Sequence, residues 1–181
     1  MAIKSTVYKA ELEIVDMDRH YYAAHRLTLA CHSSETEERL MVRLLAFALN
    51  AHERLEFGKG ISDSDEPDLW QKDLTGEIEL WVELGHPDER VVSRACGRSR
   101  QVVVYTYSAS PDRWWEPVRA RLGRERNLAV WSIAASSLPD LAGLADRTMN
   151  LQCSIQDGEI WLRDGQGRSA QVIMERLFPA S

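Results

Sequence analysis

Polar and apolar residues change places on a short period at the start of the chain. In "STVYKAELEIVD", Val7, Leu12 and Ile14 sit among polar neighbours, and "YYAAHRLTLACH" has the same habit. Two strands are predicted, joined by "DMDRH" as a hairpin loop. The period then lengthens in "SSETEERLMVRLLAFALNAHERLEF". Ser34 followed by Glu37 has capping-box spacing, which places a helix start there. Leu40, Met41, Leu44, Leu45 and Ala48 form its expected buried stripe.

Shorter signals follow. "ERLEFGKG" predicts a strand ending at Gly58 and Gly60, "ISDSDEPD" an acidic loop, and "LWQKD" a short strand or bend. "GEIELWVELGHPDER" reads as a strand with Ile78, Leu80, Val82 and Leu84 on one face and Glu79, Trp81 and Glu83 on the other. "HPDERVVSRACGRSR" predicts a helix with Pro87 in its first turn. "QVVVYTY" and "NLAVWSIA" are β-branched apolar runs and hence buried strands. "SPDRWWEPVRARLG" and "SLPDLAGLAD" are helices between and after them. The tail carries two turn signals, Asp157-Gly158 and Asp164-Gly165, the first flanked by alternation and therefore a hairpin. These elements read as a single α/β domain over residues 1–181.

Composition narrows the class. Hydrophobic residues make up 44% and charged residues 28%, as in ordinary globular proteins. No apolar run approaches the roughly 20 residues that span a bilayer, and "MAIKSTVYKAELEI" lacks a signal-peptide core. No membrane association and a cytoplasmic location are predicted. Cys31, Cys96 and Cys153 have no CxxC spacing and read as buried thiols. The net charge of −6 argues against a protein that coats nucleic acid nonspecifically, while leaving room for a local basic groove. "DRWWEPVRARLGRER" interleaves Trp114 and Trp115 with five arginines, but Trp114, Trp115, Val118 and Leu122 fall at helical spacing and read as core. The five histidines show no ligand pairing, Ser33 and Ser34 lack a nucleophile-elbow context, and glycine-rich phosphate loops are absent.

The acids of the "GEIELWVELG" strand raise a sharper question. Glu79 and Glu83 either face solvent or, if buried close together, need a cation between them, because unpaired buried carboxylates repel at a cost of several kcal/mol. A hard dication such as Mg²⁺ suits one or two carboxylates plus water. Asp68, in "EPDLW", and Glu38, in the first helix beside the capping Glu37, are the further acids able to join them.

The order helix, strand, strand, strand, helix, strand, with "PD" at Pro67-Asp68 and "ELG" at Glu83-Leu84-Gly85, resembles the PD-(D/E)xK nuclease fold. Over nearly its whole length the chain is similar to the YaeQ family, a bacterial variant of that fold. "YKAELEIVDMDR", "SSETEERLMVRLLAF", "HERLEF", "DEPDLW", "ELWVELGHPDER", "LADRTMNLQ" and "IQDGEIWL" carry this likeness.

The resemblance implies an αβββαβ core with a mixed sheet over about residues 34–107, and antiparallel β-hairpins from both termini at its periphery. It implies Asp68 and Glu83 as ligands of Mg²⁺ or Mn²⁺, Glu79 as an extra ligand or an acid supporting the ligands from behind, and Glu38 as the acid contributed by the helix. The motif lysine is replaced by Gly85, so the metal alone would stabilise the charge on a scissile phosphate, unless Lys72 or Arg94 reaches the site to supply the cation. Two functions remain open from sequence: a metal-dependent phosphodiesterase acting on nucleic acid, or a non-catalytic module that binds nucleic acid or protein on a degenerate nuclease scaffold.

Overall fold

The computed structural model describes residues 4–63 and 65–179. Two compact units compose the chain, and neither is continuous in sequence. One contains residues 1–51 and 136–173, the other residues 52–135 and 174–181. The fold is mixed α/β, with two mixed sheets and four α-helices among the described residues.

In the first unit, β1 (Thr6–Asp16) and β2 (Tyr21–Cys31) form the expected hairpin, with Thr6 opposite Cys31 and Asp16 opposite Tyr21. β8 (Thr148–Gln156) and β9 (Glu159–Asp164) form the second, turning at Asp157-Gly158. Both turn residues have positive φ there, 52° and 76°, as this type of tight turn requires. β10 (Ser169–Val172) continues the meander. These hairpins are not peripheral. β1 pairs in parallel with β8, so the two hairpins merge into one sheet ordered β10-β9-β8-β1-β2.

Alternation sets the faces of that sheet. Tyr8, Ala10, Leu12 and Ile14 on β1 are buried in the same layer as Leu151 and Cys153 on β8, while Val7 is 49% exposed. Val7 therefore lies on the outer face, one position out of step with the core residues. Helix α1 (Glu37–Leu49) and the short α4 (Leu138–Gly143) pack together in this unit. Thr36 caps α1, its Oγ1 accepting from the Arg39 amide at 3.1 Å, so the start lies two residues after the expected Ser34. Every residue from Leu40 to Ala48 is buried, including Val42, Ala46 and Phe47 outside the expected stripe. Arg43, midway along it, donates to Glu35 Oε2 at 3.1 Å and to the Ala30 carbonyl at 2.9 Å.

The second unit is built on a six-stranded sheet ordered β11-β7-β6-β5-β4-β3. Its members are β3 (Leu55–Phe57), β4 (Leu69–Lys72), β5 (Ile78–Leu84), β6 (Ser99–Thr106), β7 (Leu128–Ile133) and β11 (Met174–Phe178). β5, β6 and β7 are parallel, joined by crossover helices α2 (Glu89–Arg98) and α3 (Asp112–Leu122). Asp88, whose Oδ1 accepts from the Arg90 amide at 2.8 Å, caps α2, and Pro87 lies before the cap instead of inside the first turn. Trp81, Val102 and Val104 meet Val92, Trp115 and Leu122 from the two helices in one core. The chain order from α1 to β6 is αβββαβ as expected, although α1 groups with the terminal hairpins.

Among the described residues, no helix is long and apolar enough to cross a membrane. Burial pushes the thiols of Cys96 and Cys153 up to about 12, so both are protonated, apolar-packed side chains at neutral pH.

Candidate functional site

The acids singled out from sequence lie along β4 and β5, which pair antiparallel with Leu69 opposite Val82 and Trp70 opposite Trp81. Asp68 comes one residue before β4. Its amide donates to the Val82 carbonyl at 3.1 Å, and its Oδ2 accepts from the Leu84 amide at 2.9 Å. The residue is thus tied to both chain neighbours of Glu83, and its carboxylate takes the place of a ladder carbonyl where the strand bends away. It is 2% exposed.

Glycine makes room for this buried carboxylate. Gly60 has φ +51°, and a Cβ built there would lie 2.5 Å from Asp68 Oδ1. Asp68 is buried and held from two sides, so it cannot simply swing clear. Gly60→Ala is expected to destabilise the fold by about 1–3 kcal/mol, from left-handed backbone strain plus the clash. Chemical denaturation checks it; a cost within error of zero would mean the loop relaxes freely.

Glu79 and Glu83 share a strand face as expected, but four residues of strand separate their α-carbons by about 13 Å. Sharing a face on a strand is therefore not sharing a site. Between them the Trp81 ring is 2% exposed, and its Nε1 donates to Glu83 Oε1 at 2.9 Å. Glu79 sits at a bulge, since the β4–β5 register slips between Gln71 and Lys72. Its Oε2 accepts from Gln71 Nε2 at 2.7 Å and from Arg54 Nη2 at 3.1 Å, and Arg100 stands 3.7 Å from Oε1. The Gln71 hydrogen bond first, then the Arg54 guanidinium, hold its carboxyl below the usual glutamate value. Arg100 also pairs with Asp73 and Glu77, which makes this end of β5 an ion-pair network.

The remaining candidates are dispersed. Lys72 Nζ lies 3.7 Å from the centroid of the Trp70 ring, a cation–π contact on its own strand. Arg94 pairs with Asp65 at 3.5 Å, both largely exposed. Glu38 belongs to the other unit, in the first turn of α1, where an acid complements the helix dipole. Gly85 has φ +85°, and its amide donates to the Tyr105 carbonyl at 2.9 Å. The turn after β5 thus demands a left-handed residue at the place where the nuclease motif has lysine.

Of the proposed ligands, the structure brings Asp68 and Glu83 side by side and ties Glu79 to cations elsewhere. Among the described residues, no three His, Cys, Asp or Glu side chains are grouped to hold a metal ion. The donor set therefore lacks a third acid beside Asp68 and Glu83, and Glu79 is not placed to be the extra ligand. Sequence reasoning missed Arg54, Gln71 and Arg100, the partners that occupy Glu79. No sequence signal marked Arg100; the parallel register, with Ile78 opposite Ser99 and Leu80 opposite Gln101, is what sets it beside Glu79.

Comparison with known proteins agrees with this architecture. The solved YaeQ protein of Xanthomonas axonopodis pv. citri is 49% identical, with a TM-score of 0.92 covering 96% of this chain and 98% of that one. The YaeQ structure from Pseudomonas syringae is 34% identical, with a TM-score of 0.91 and 97% of each chain covered. The YaeQ protein of Salmonella typhi is 44% identical over 167 residues, 92% of each chain, and that of Escherichia coli K12 is 44% identical over 165. Residues 1–173 match the family described as YaeQ protein, and the chain belongs to the YaeQ family.

Proposed function

We propose that the chain is a non-catalytic binding module on a nuclease-like scaffold, engaging nucleic acid or a protein partner. The observation that carries this reading is the state of Glu79. A metal ligand needs lone pairs aimed at an ion, whereas this carboxylate spends them on Gln71 and Arg54 with Arg100 alongside. The left-handed backbone of Gly85 supports it further, since restoring the motif lysine there would strain the turn.

A second reading, the metal-dependent phosphodiesterase, keeps one observation in its favour. Asp68 and Glu83 stand together at the carboxyl end of β5, where parallel sheets commonly bind ligands. At the carboxyl end of the neighbouring β6, Thr106 buries a hydroxyl with no hydrogen-bond partner. In this reading Asp68 and Glu83 would hold Mg²⁺ or Mn²⁺, and the ion would polarise a phosphodiester.

One experiment separates the two. Titrate Mg²⁺ and Mn²⁺ calorimetrically into the protein and into Glu83→Ala, and assay both against single- and double-stranded DNA and RNA. The module reading expects no cleavage above background with either metal, and the same heats for both proteins. Cleavage that requires Mn²⁺ and disappears in Glu83→Ala would replace it with the phosphodiesterase.

A further inference from the structure

We propose that the groove between α2 and α3 binds single-stranded nucleic acid, its arginines on the phosphates and the His86 ring under a base. This inference rests on the module reading and names its ligand and its site.

Charge is unevenly distributed along the chain. Residues 89–126 hold nine arginines against four acids, in a protein whose net charge is −6. The structure gathers four of these arginines around one groove of about 390 Å³. Arg90 and Arg94 reach it from α2, and Arg121 and Arg124 from the end of α3, with Glu89 and Ser93 also at its walls. The helix geometry explains the gathering. Arg90 and Arg94 are four residues apart and share a face, while Arg121 closes the last turn of the helix alongside. The pairs Ser93–Glu125 and Glu89–Arg121 link the helices.

The local acids, Glu125 bonded to Ser93 among them, offset the four arginines only in part. Glu89 pairs with Arg121, and Arg94 has only the exposed Asp65 at 3.5 Å. Arg90 and Arg124 make no ion pair among the described residues. Several guanidinium groups around one groove repel each other until an anion enters, and their planar forks match phosphate oxygens two at a time.

The aromatic pair at the head of α2 chooses among anions. His86 and Trp114 lie with ring planes 2° apart and centroids 5.9 Å apart. Trp114 is anchored by Nε1 donating to the Pro87 carbonyl at 2.9 Å, and the His86 side chain is exposed. The His86 ring, stacked on the anchored Trp114 and four residues before Arg90, lies outside the groove lining and offers a stacking platform next to it in sequence, which an acidic peptide would leave unused and an unpaired base would cover.

The test is fluorescence anisotropy of labelled oligo(dT) and oligo(U) with the intact protein across a salt series. Two to four phosphate contacts predict that log K falls against log salt with a slope of about −1.4 to −2.8. Arg90→Ala with Arg124→Ala is expected to weaken binding at least tenfold and to reduce the slope by about 1.4. His86→Ala should weaken it by about tenfold while leaving the slope unchanged. All three residues are exposed, and circular dichroism confirms that the variants fold. Arg26→Ala, on the other unit, serves as the control that should change nothing.

No binding at low salt overturns the proposal, as does binding that the double substitution leaves intact. Equal affinity for poly-glutamate, lost in the same variant, overturns it in favour of an acidic protein segment. Failure of the module reading looks different: the same oligonucleotides would be cut when Mn²⁺ is added.

Discussion

Arg43→Ala is expected to lower stability by about 3–5 kcal/mol, the cost of leaving one half of a buried ion pair behind. In a chain of this length that corresponds to a fall in melting temperature of about 6–20 °C. The reasoning follows from where the charges sit. The Glu35 and Arg43 side chains are 2% and 8% exposed, and Arg43 also satisfies the Ala30 carbonyl of β2. Arg39, at 3.2 Å from Glu35, compensates in part. Replacing Glu35 and Arg43 together with glutamine and methionine should cost less than Arg43→Ala alone, because the two most deeply buried charges leave together and only Arg39, 15% exposed, loses a partner. Guanidinium denaturation of Arg43→Met, Glu35→Gln and the double variant completes the cycle. A loss below about 1 kcal/mol for Arg43→Ala would show that the pair is no more than a surface contact.

Trp81→Ala is expected to cost about 3–5 kcal/mol as well, by a different route. The indole fills the space between the parallel strands and the two crossover helices, packs edge-on against Trp70 at 5.9 Å, and donates to Glu83. Removing it leaves a cavity that the β5–β6–β7 framework cannot close. Trp81→Phe keeps much of the packing and gives up the hydrogen bond, worth about 1 kcal/mol. Thermal melting compares them. Equal losses for the two variants would mean that the hydrogen bond to Glu83, not the ring volume, dominates at this position.

These two residues also show what the sequence made legible. Trp81 was readable as part of a strand, because period-two alternation is local and survives in the fold. The same holds for both hairpins, whose turn residues carry their own backbone requirement. Arg43 was not readable. It occupies a position that helical periodicity assigns away from the stripe, yet α1 is buried around its whole circumference, and a polar residue there demanded a partner that no pattern reveals. The parallel union of β1 with β8 was invisible for a similar reason, since nothing in either segment specifies a neighbour so distant in sequence.

The acids were legible as residues and illegible as a site. Asp68 and Glu83 do come together, through a backbone hydrogen bond and a carboxylate bond that bracket one residue of β5. Glu79 does not join them, because a strand advances about 3.3 Å per residue and shared parity says nothing of proximity. Its partners Arg54 and Arg100 come from outside the motif altogether. Parity was sufficient to set Trp81 between the two acids on one face, and insufficient to show that the ring is buried or to build a metal centre.

The pairing of β1 with β8 has a consequence for how the protein is made. About 130 residues separate the end of the one strand from the start of the other. At a translation rate of about 5–20 residues per second, the N-terminal hairpin leaves the ribosome roughly 7–25 s before its partner exists. Through that interval one flank of β1 offers unpaired amides and carbonyls to any passing chain. The newborn polypeptide is therefore most exposed to mispairing at its N-terminus, and slower elongation lengthens the hazard.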